Sequence, residues 1–178
     1  MTVPSCGVAH GSAGSEGVTD RVLVAVFASP VAGALLRIGV DLGWRPVLVE
    51  PEAARPAPAG LPEGVLRVAA IHALPAELAG PGADVVVTDH HRAELGPLLR
   101  DALARRVRWV GIMGNPRHEG PHVAALAGLG VPPEDVARIH RPIGLDVGSR
   151  TPAEIAVATL AGLLAERNGR PGGFFPPP

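Results

Sequence analysis

The sequence predicts an α/β fold, a Rossmann-like three-layer sandwich with a mostly parallel sheet. Short runs such as Val22-Leu-Val-Ala-Val-Phe27 and Asp84-Val-Val-Val-Thr88 are almost continuously apolar, the pattern of strands covered on both faces. These runs alternate with segments that carry helix-start and helix-stop residues, the order of βαβ units. With 178 residues, 47% of them hydrophobic, the chain can bury one substantial core, so one domain is expected.

Residues 1–19 mix Gly, Ser and charge without periodicity, and 169–178 run Gly-Arg-Pro-Gly-Gly-Phe-Phe-Pro-Pro-Pro. Both ends are expected to be disordered tails around a folded body over 20–168. Within it, residues 22–27 form the first strand. Ser29-Pro30 then supplies an N-cap and a first helical residue for a helix to about 42, which Gly43 ends. Residues 45–50 are a second buried strand, and a Pro/Ala-rich connection over 51–64 leads to a short third strand over 65–69. A helical turn at 74–78 precedes a fourth strand at 84–88. The helix over 97–106 places Leu98, Leu99, Ala102 and Leu103 on one face. A fifth strand at 107–112 follows, then helices over 121–129 and 133–139, a loop over 140–151, and a long final helix from Pro152 to about 168. The apolar positions Ile155, Ala158, Leu160, Leu163 and Leu164 nearly encircle that helix, which suits burial against the sheet or in a homodimer.

Composition excludes several functions. The net charge is −1, with 16 basic and 17 acidic residues interspersed, and only 3% of residues are aromatic. There is no basic stripe and no stacking platform for nucleic acid. No apolar run approaches the ~20 residues of a spanning helix, and Met1-Thr-Val-Pro4 lacks the charged start and apolar core of a signal peptide. The expectation is a cytoplasmic protein with no membrane partner. A single cysteine, Cys6, excludes an internal disulfide framework and any multi-thiolate metal site. All 16 basic residues are Arg, which removes the P-loop lysine, Schiff-base chemistry and a lysine base.

Ligands of such sheets bind beyond the carboxyl ends of the strands, near the point where strand order reverses. Four segments are expected to meet there: 28–30, 88–91, 111–115 and 140–151. In the last, Thr151, Pro152 and Glu154 form a capping box that starts the final helix. Gly144 and Gly148 let the backbone turn, and the helix N-terminus with Arg150 beside it suits an anion. Gly144, Asp146, Gly148, Ser149, Arg150 and Thr151 are therefore candidates to cradle a phosphate. The alternative is a structural loop closed by an Asp146–Arg150 ion pair. Gly111, Met113, Gly114, Asn115 and Arg117 form the opposite lip, the glycines admitting backbone to the ligand and Arg117 adding charge. Asp89 or His90 is expected to face the cleft. A dedicated metal site is not expected, because adjacent Asp89, His90 and His91 point in different directions and Pro121 breaks the spacing of His118 and His122. Ser29 lacks the flanking glycines of a nucleophile elbow, and N-capping accounts for it, though it also stands at the mouth of the cleft.

Gly111-Ile-Met-Gly-Asn-Pro-Arg117 and Pro142-Ile-Gly-Leu-Asp-Val-Gly-Ser-Arg-Thr-Pro-Ala-Glu154, placed after the fifth strand and before the last helix, resemble the Rossmann-type C-terminal domain of the XdhC/CoxI family. The resemblance covers nearly all of the folded body. It implies a maturation factor rather than a catalyst: a chaperone that binds the molybdenum cofactor, a molybdopterin, presents it to a cysteine desulfurase, and delivers it to a molybdenum hydroxylase apoenzyme such as xanthine dehydrogenase or carbon monoxide dehydrogenase. Asp146 would then bind a pterin N–H edge or anchor the loop. An NAD(P)-dependent oxidoreductase or nucleotide sensor using the same cleft is the alternative. Phe27 and Ser29 stand where the first two glycines of Gly-x-Gly-x-x-Gly/Ala would sit, with Ala32 at the third, and a Cβ at those places hinders approach of a pyrophosphate. Glu50, at the end of the second strand, occupies the position of a ribose-binding carboxylate or is a surface charge.

Overall fold

The computed structural model describes residues 21–114 and 120–174. The expected N-terminal tail, with Cys6, and residues 175–178 of the expected C-terminal tail lie outside the described residues, as do Asn115, Arg117 and His118.

Strand β1 (Val22–Val26) leads through a tight turn into helix α1 (Pro30–Asp41), and β2 (Arg45–Val49) and β3 (Leu66–Val68) follow. Two single turns of 3₁₀ helix, Ile71–Ala73 and Ala76–Leu78, precede β4 (Ala83–Val87), α2 (Leu95–Ala104) and β5 (Trp109–Ile112). Helices α3 (Pro121–Ala127) and α4 (Pro133–Val136) lead to a two-residue strand β6 (Ile139–His140) and the long α5 (Pro152–Arg167). The expected elements are all present, with boundaries moved by one to three residues. The helix expected over 133–139 stops at Val136, and its last residue, Ile139, joins His140 in β6 by pairing beside β5. A two-residue strand has no period to detect, so sequence pattern could not announce it.

The sheet has the order β3-β2-β1-β4-β5-β6, and every neighbouring pair is parallel. This is the doubly wound order in which the chain reverses direction between β1 and β4. Val24 is flanked by Val47 and Val85, and Val26 by Val49 and Val87. Alternate residues of these strands feed two cores. Val22, Val24, Val26, Val85 and Val87 face Leu95, Leu98, Leu99 and Leu126 of α2 and α3. Leu23, Ala25, Leu48 and Val86 face Leu35, Leu36, Leu160 and Leu163 of α1 and α5. The continuous apolar runs in the sequence are the direct record of this double coverage.

One polar cluster fixes the end of the sheet opposite the expected cleft. The wholly buried Asp84 accepts Arg108 Nε at 2.5 Å and Arg167 Nη2 at 2.9 Å, and Arg108 also pairs with Glu166. Arg167 and Glu166 close α5, so the pairing ties the helix's last turn to the sheet. A buried carboxylate is tolerated when two guanidiniums satisfy it. With its C-terminus held, α5 delivers its N-terminus, and the 141–151 loop before it, to the carboxyl ends of the strands.

Candidate functional site

The first β–α turn departs from what a dinucleotide needs. Phe27 takes φ of +72°, a left-handed backbone that favours glycine, while its ring is fully buried beneath the Arg92 guanidinium, 4.9 Å from the ring centroid. The hindrance expected from the Phe27 side chain is therefore not what closes this turn, because that side chain points into the core. A carboxylate closes it. Glu50, 2% exposed rather than a surface charge, accepts the Ala28 N–H at 2.7 Å through Oε2. Its Oε1 takes the Glu52 N–H at 3.0 Å and Arg92 Nη2 at 3.1 Å. Ser29 caps α1 by accepting the Ala32 N–H at 3.1 Å, and its hydroxyl donates to Thr88 Oγ1 at 2.8 Å. Thr88 in turn donates to the Val26 and Phe27 carbonyls. The turn is thus laced shut by its own side chains, and it does not fit a pyrophosphate in the usual Rossmann pose.

Three of the four segments expected to converge line two cavities, whereas 88–91, with Asp89 and His90, lines neither. One, of about 350 Å³, lies over Ala28, Ser29 and Pro30 and is roofed by the Pro/Ala-rich 54–59 segment. The larger, of about 530 Å³, lies between Met113 and Gly114 on one side and the 142–149 loop with Ile155 and Ala158 on the other. Its walls are mostly apolar, through Met113, Ile143, Leu145 and Ile155, with Asp146 and Ser149 as the polar groups. Its size and mixed lining suit a small organic ligand with a polar edge.

The loop that forms this cavity is built by its glycines. Gly144 and Gly148 do adopt positive φ, +84° and +68°. A Cβ on Gly144 would press the backbone of Ala158 and Thr159 at 3.1 Å, and Leu145 donates its N–H to the Ala158 carbonyl at 3.1 Å. Gly144 therefore lets the loop lie directly on α5. A Cβ on Gly111 would run into the Trp109 ring and Ile143, so the missing side chain there makes room for protein rather than ligand. Gly114 differs again: it lines the cavity, and its bare face is covered by the Arg141 guanidinium.

The capping box of α5 forms as expected, with Thr151 Oγ1 accepting the Glu154 N–H at 3.3 Å. Glu154 Oε2 accepts the Arg150 N–H at 2.7 Å and the Thr151 N–H at 2.9 Å, so the protein's own carboxylate takes the two amides at and before the N-cap. Those two N–H bonds hold the Glu154 carboxyl below its ordinary range. The alternative Asp146–Arg150 ion pair is not formed, and both residues are exposed.

Beyond β4, Asp89 Oδ1 accepts the His91 N–H at 2.9 Å and turns the chain. His90 is half-buried, its ring 4.1 Å from that of His91. Burial first, then the charges of His91 and Arg141, push His90 below its ordinary pKa. His122, at the start of α3, is 6% exposed, and burial with the Arg141 charge lowers its pKa also. His122 enters the sequence reading only as a dismissed partner of His118, and Arg141 does not enter it at all. Arg141 precedes Pro142 without any motif of its own, and only the pairing of β6 with β5 brings it beside Gly114. Among the described residues, no group of three His, Cys, Asp or Glu side chains could hold a metal ion, and no helix is long and apolar enough to cross a membrane.

The chain is similar to several known proteins. The family described as the XdhC Rossmann domain matches residues 23–163. The uncharacterized protein YqeB of Escherichia coli strain K12 is 32% identical over 94 residues, a match that covers 53% of this chain and 17% of YqeB. The crystal structure of a xanthine dehydrogenase from Bacillus halodurans superposes with a TM-score of 0.66 at 19% identity, over 84% of this chain and 45% of that one. The chain thus spans less than half the length of these two proteins, and the structural match speaks to the fold.

Proposed function

The chain belongs to the XdhC Rossmann-domain family, and we propose that it is an accessory protein that binds a molybdopterin-type cofactor for a molybdenum hydroxylase. What supports this reading is the cavity of about 530 Å³ walled by the two segments that carry the family motif, Met113-Gly114 and the 142–149 loop. The residues fit such a group. Met113, Ile143, Leu145 and Ile155 offer an apolar bed for a flat heterocycle, Asp146 offers an acceptor to an N–H edge, and Ser149 offers a hydroxyl. The cofactor, when bound, supplies the metal centre that its client uses. The chain's own residues bind it, orient it and limit water around it. A carrier needs no nucleophile and no general base of its own. The partners on this reading are a hydroxylase apoenzyme and a cysteine desulfurase.

The closed first turn weighs against NAD(P) as the ligand. Native mass spectrometry of protein loaded anaerobically with molybdenum cofactor, beside an NADH-loaded sample, tests the choice. Retained pterin and molybdenum without NADH is the expected result; retention of NADH alone would move the protein to the oxidoreductases.

A further inference from the structure

Past its last turn, α5 sends the chain back onto the loop that precedes the helix. Gly169 takes φ of +61°, the left-handed stop that glycine supplies at a helix end, and the Arg170 N–H donates to the Ala165 carbonyl at 2.8 Å. Gly172 then lies against Leu145, whose Cδ2 is 3.1 Å from the place a Cβ would take. Between this returning segment, the C-terminal half of α5 and the β5–β6 edge of the sheet lies a cavity of about 320 Å³. It is distinct from the larger one. Pro142, Gly144 and Leu145 wall both, but Trp109, His140 and Arg170 do not line the larger cavity, and Asp146 and Ser149 do not line this one.

The polar groups of this cavity are donors that lack acceptors. Trp109 is 8% exposed, and its indole stacks on the His140 imidazole with ring centroids 5.1 Å apart and an interplanar angle of 16°. Among the described residues, neither the indole N–H nor the His140 ring makes a hydrogen bond, and the exposed Arg170 guanidinium has no hydrogen bond and no ion pair. A tryptophan so far removed from water ordinarily finds an acceptor for its N–H, and indole and guanidinium can only donate. The wall's own carboxylate, Glu166, is already paired with Arg108. The rest of the wall is mostly apolar, through Leu145, Leu163 and Pro171.

We propose that this cavity binds a small organic carboxylate, its carboxylate held by Arg170 and the Trp109 N–H and its apolar body laid on Leu145, Leu163 and Pro171. The guanidinium fork matches a carboxylate, and a charge-assisted bond to it is stronger than a neutral one. His140 holds the indole plane by stacking and offers a further ring N–H. The volume stands at the lower end of small-molecule pockets, which begin at about 300 Å³, so a single-ring or short-chain acid fits better than a nucleotide. The site does not depend on what occupies the larger cavity, although an acid bound here rests on the back of the loop that forms it.

The test titrates benzoate and hexanoate into the full chain, each beside its neutral amide, while the indole N–H signals of the two tryptophans are followed by NMR. Trp44, which is 3% exposed and outside the cavity wall, is the internal reference. The expected result is a saturable shift of the Trp109 signal with at least one of the acids, about fivefold or more weaker with its amide. Arg170→Gln, an exposed position whose side chain has no partner to lose, is expected to weaken the acid about fivefold or more, and Ser149→Ala to change it less than about twofold. No saturable shift of Trp109 with either acid, equal binding of acid and amide, or a loss that follows Ser149 and spares Arg170 overturns the proposal.

Discussion

The carboxylate of Glu50 accepts the backbone N–H of Ala28 at 2.7 Å, across the first β–α turn and 22 residues away in the chain. In a dinucleotide-binding turn, that amide faces the pyrophosphate and the carboxylate at the end of β2 faces the ribose. Here the two satisfy each other. NADH is therefore expected to leave the thermal unfolding midpoint unchanged at any concentration, and a midpoint that rises with concentration would show that the turn opens. Glu50→Ala leaves a buried amide and the Arg92 guanidinium without their acceptor, and a loss of about 3 kcal/mol in denaturant unfolding is expected.

Gly111 tests whether the turn after β5 is shaped by packing or by ligand approach. A Cβ there meets the Trp109 ring and Ile143, so Gly111→Ala is expected to cost about 1–3 kcal/mol by overpacking. Equilibrium unfolding in urea without ligand reads it out. A variant as stable as wild type would mean that Trp109 and Ile143 can yield, and that the glycine is there for something else.

Thr151 closes the capping box of α5 through its bond to the Glu154 N–H. Thr151→Ala is expected to lower stability by about 1 kcal/mol, and Thr151→Ser to recover most of it. Equal loss in both variants would place the contribution in the threonine methyl group rather than the hydroxyl.

Stability should fall on mild acidification. His122 and His90 are both held below their ordinary pKa, by burial first and by the Arg141 charge. As pH falls through the unfolded value of about 6.5, the unfolded chain takes up protons that the folded chain refuses, so stability is full above that value and declines below it. The decline levels off once the folded histidines also protonate. His122→Asn, which cannot titrate, should flatten the stability slope between about pH 7 and pH 5. An unaltered slope would assign the pH dependence to other groups.

The division between what was legible in the sequence and what was not follows the range of the interactions concerned. Val22–Val26, Ala83–Val87 and the caps at Ser29 and Thr151 were readable because they depend on neighbours within four residues or on a run of apolar side chains. From those runs came the parallel sheet covered on both faces, and the family motif on either side of the cavity placed the candidate site. The turns at Gly144 and Gly148 were legible in the same local way. What the sequence alone could not show is where each polar group spends its hydrogen bonds. The Glu154 carboxylate, for example, takes the Arg150 N–H as well as the Thr151 N–H of the cap. Only the fold decided that Glu50 is buried against Ala28, that Asp84 joins Arg108 to Arg167, and that Arg141 lies on Gly114 beside His122. These partners are separated by 19 to 83 residues, and a long-range pairing leaves no local period in a sequence; it exists only once the sheet has set the strands in order.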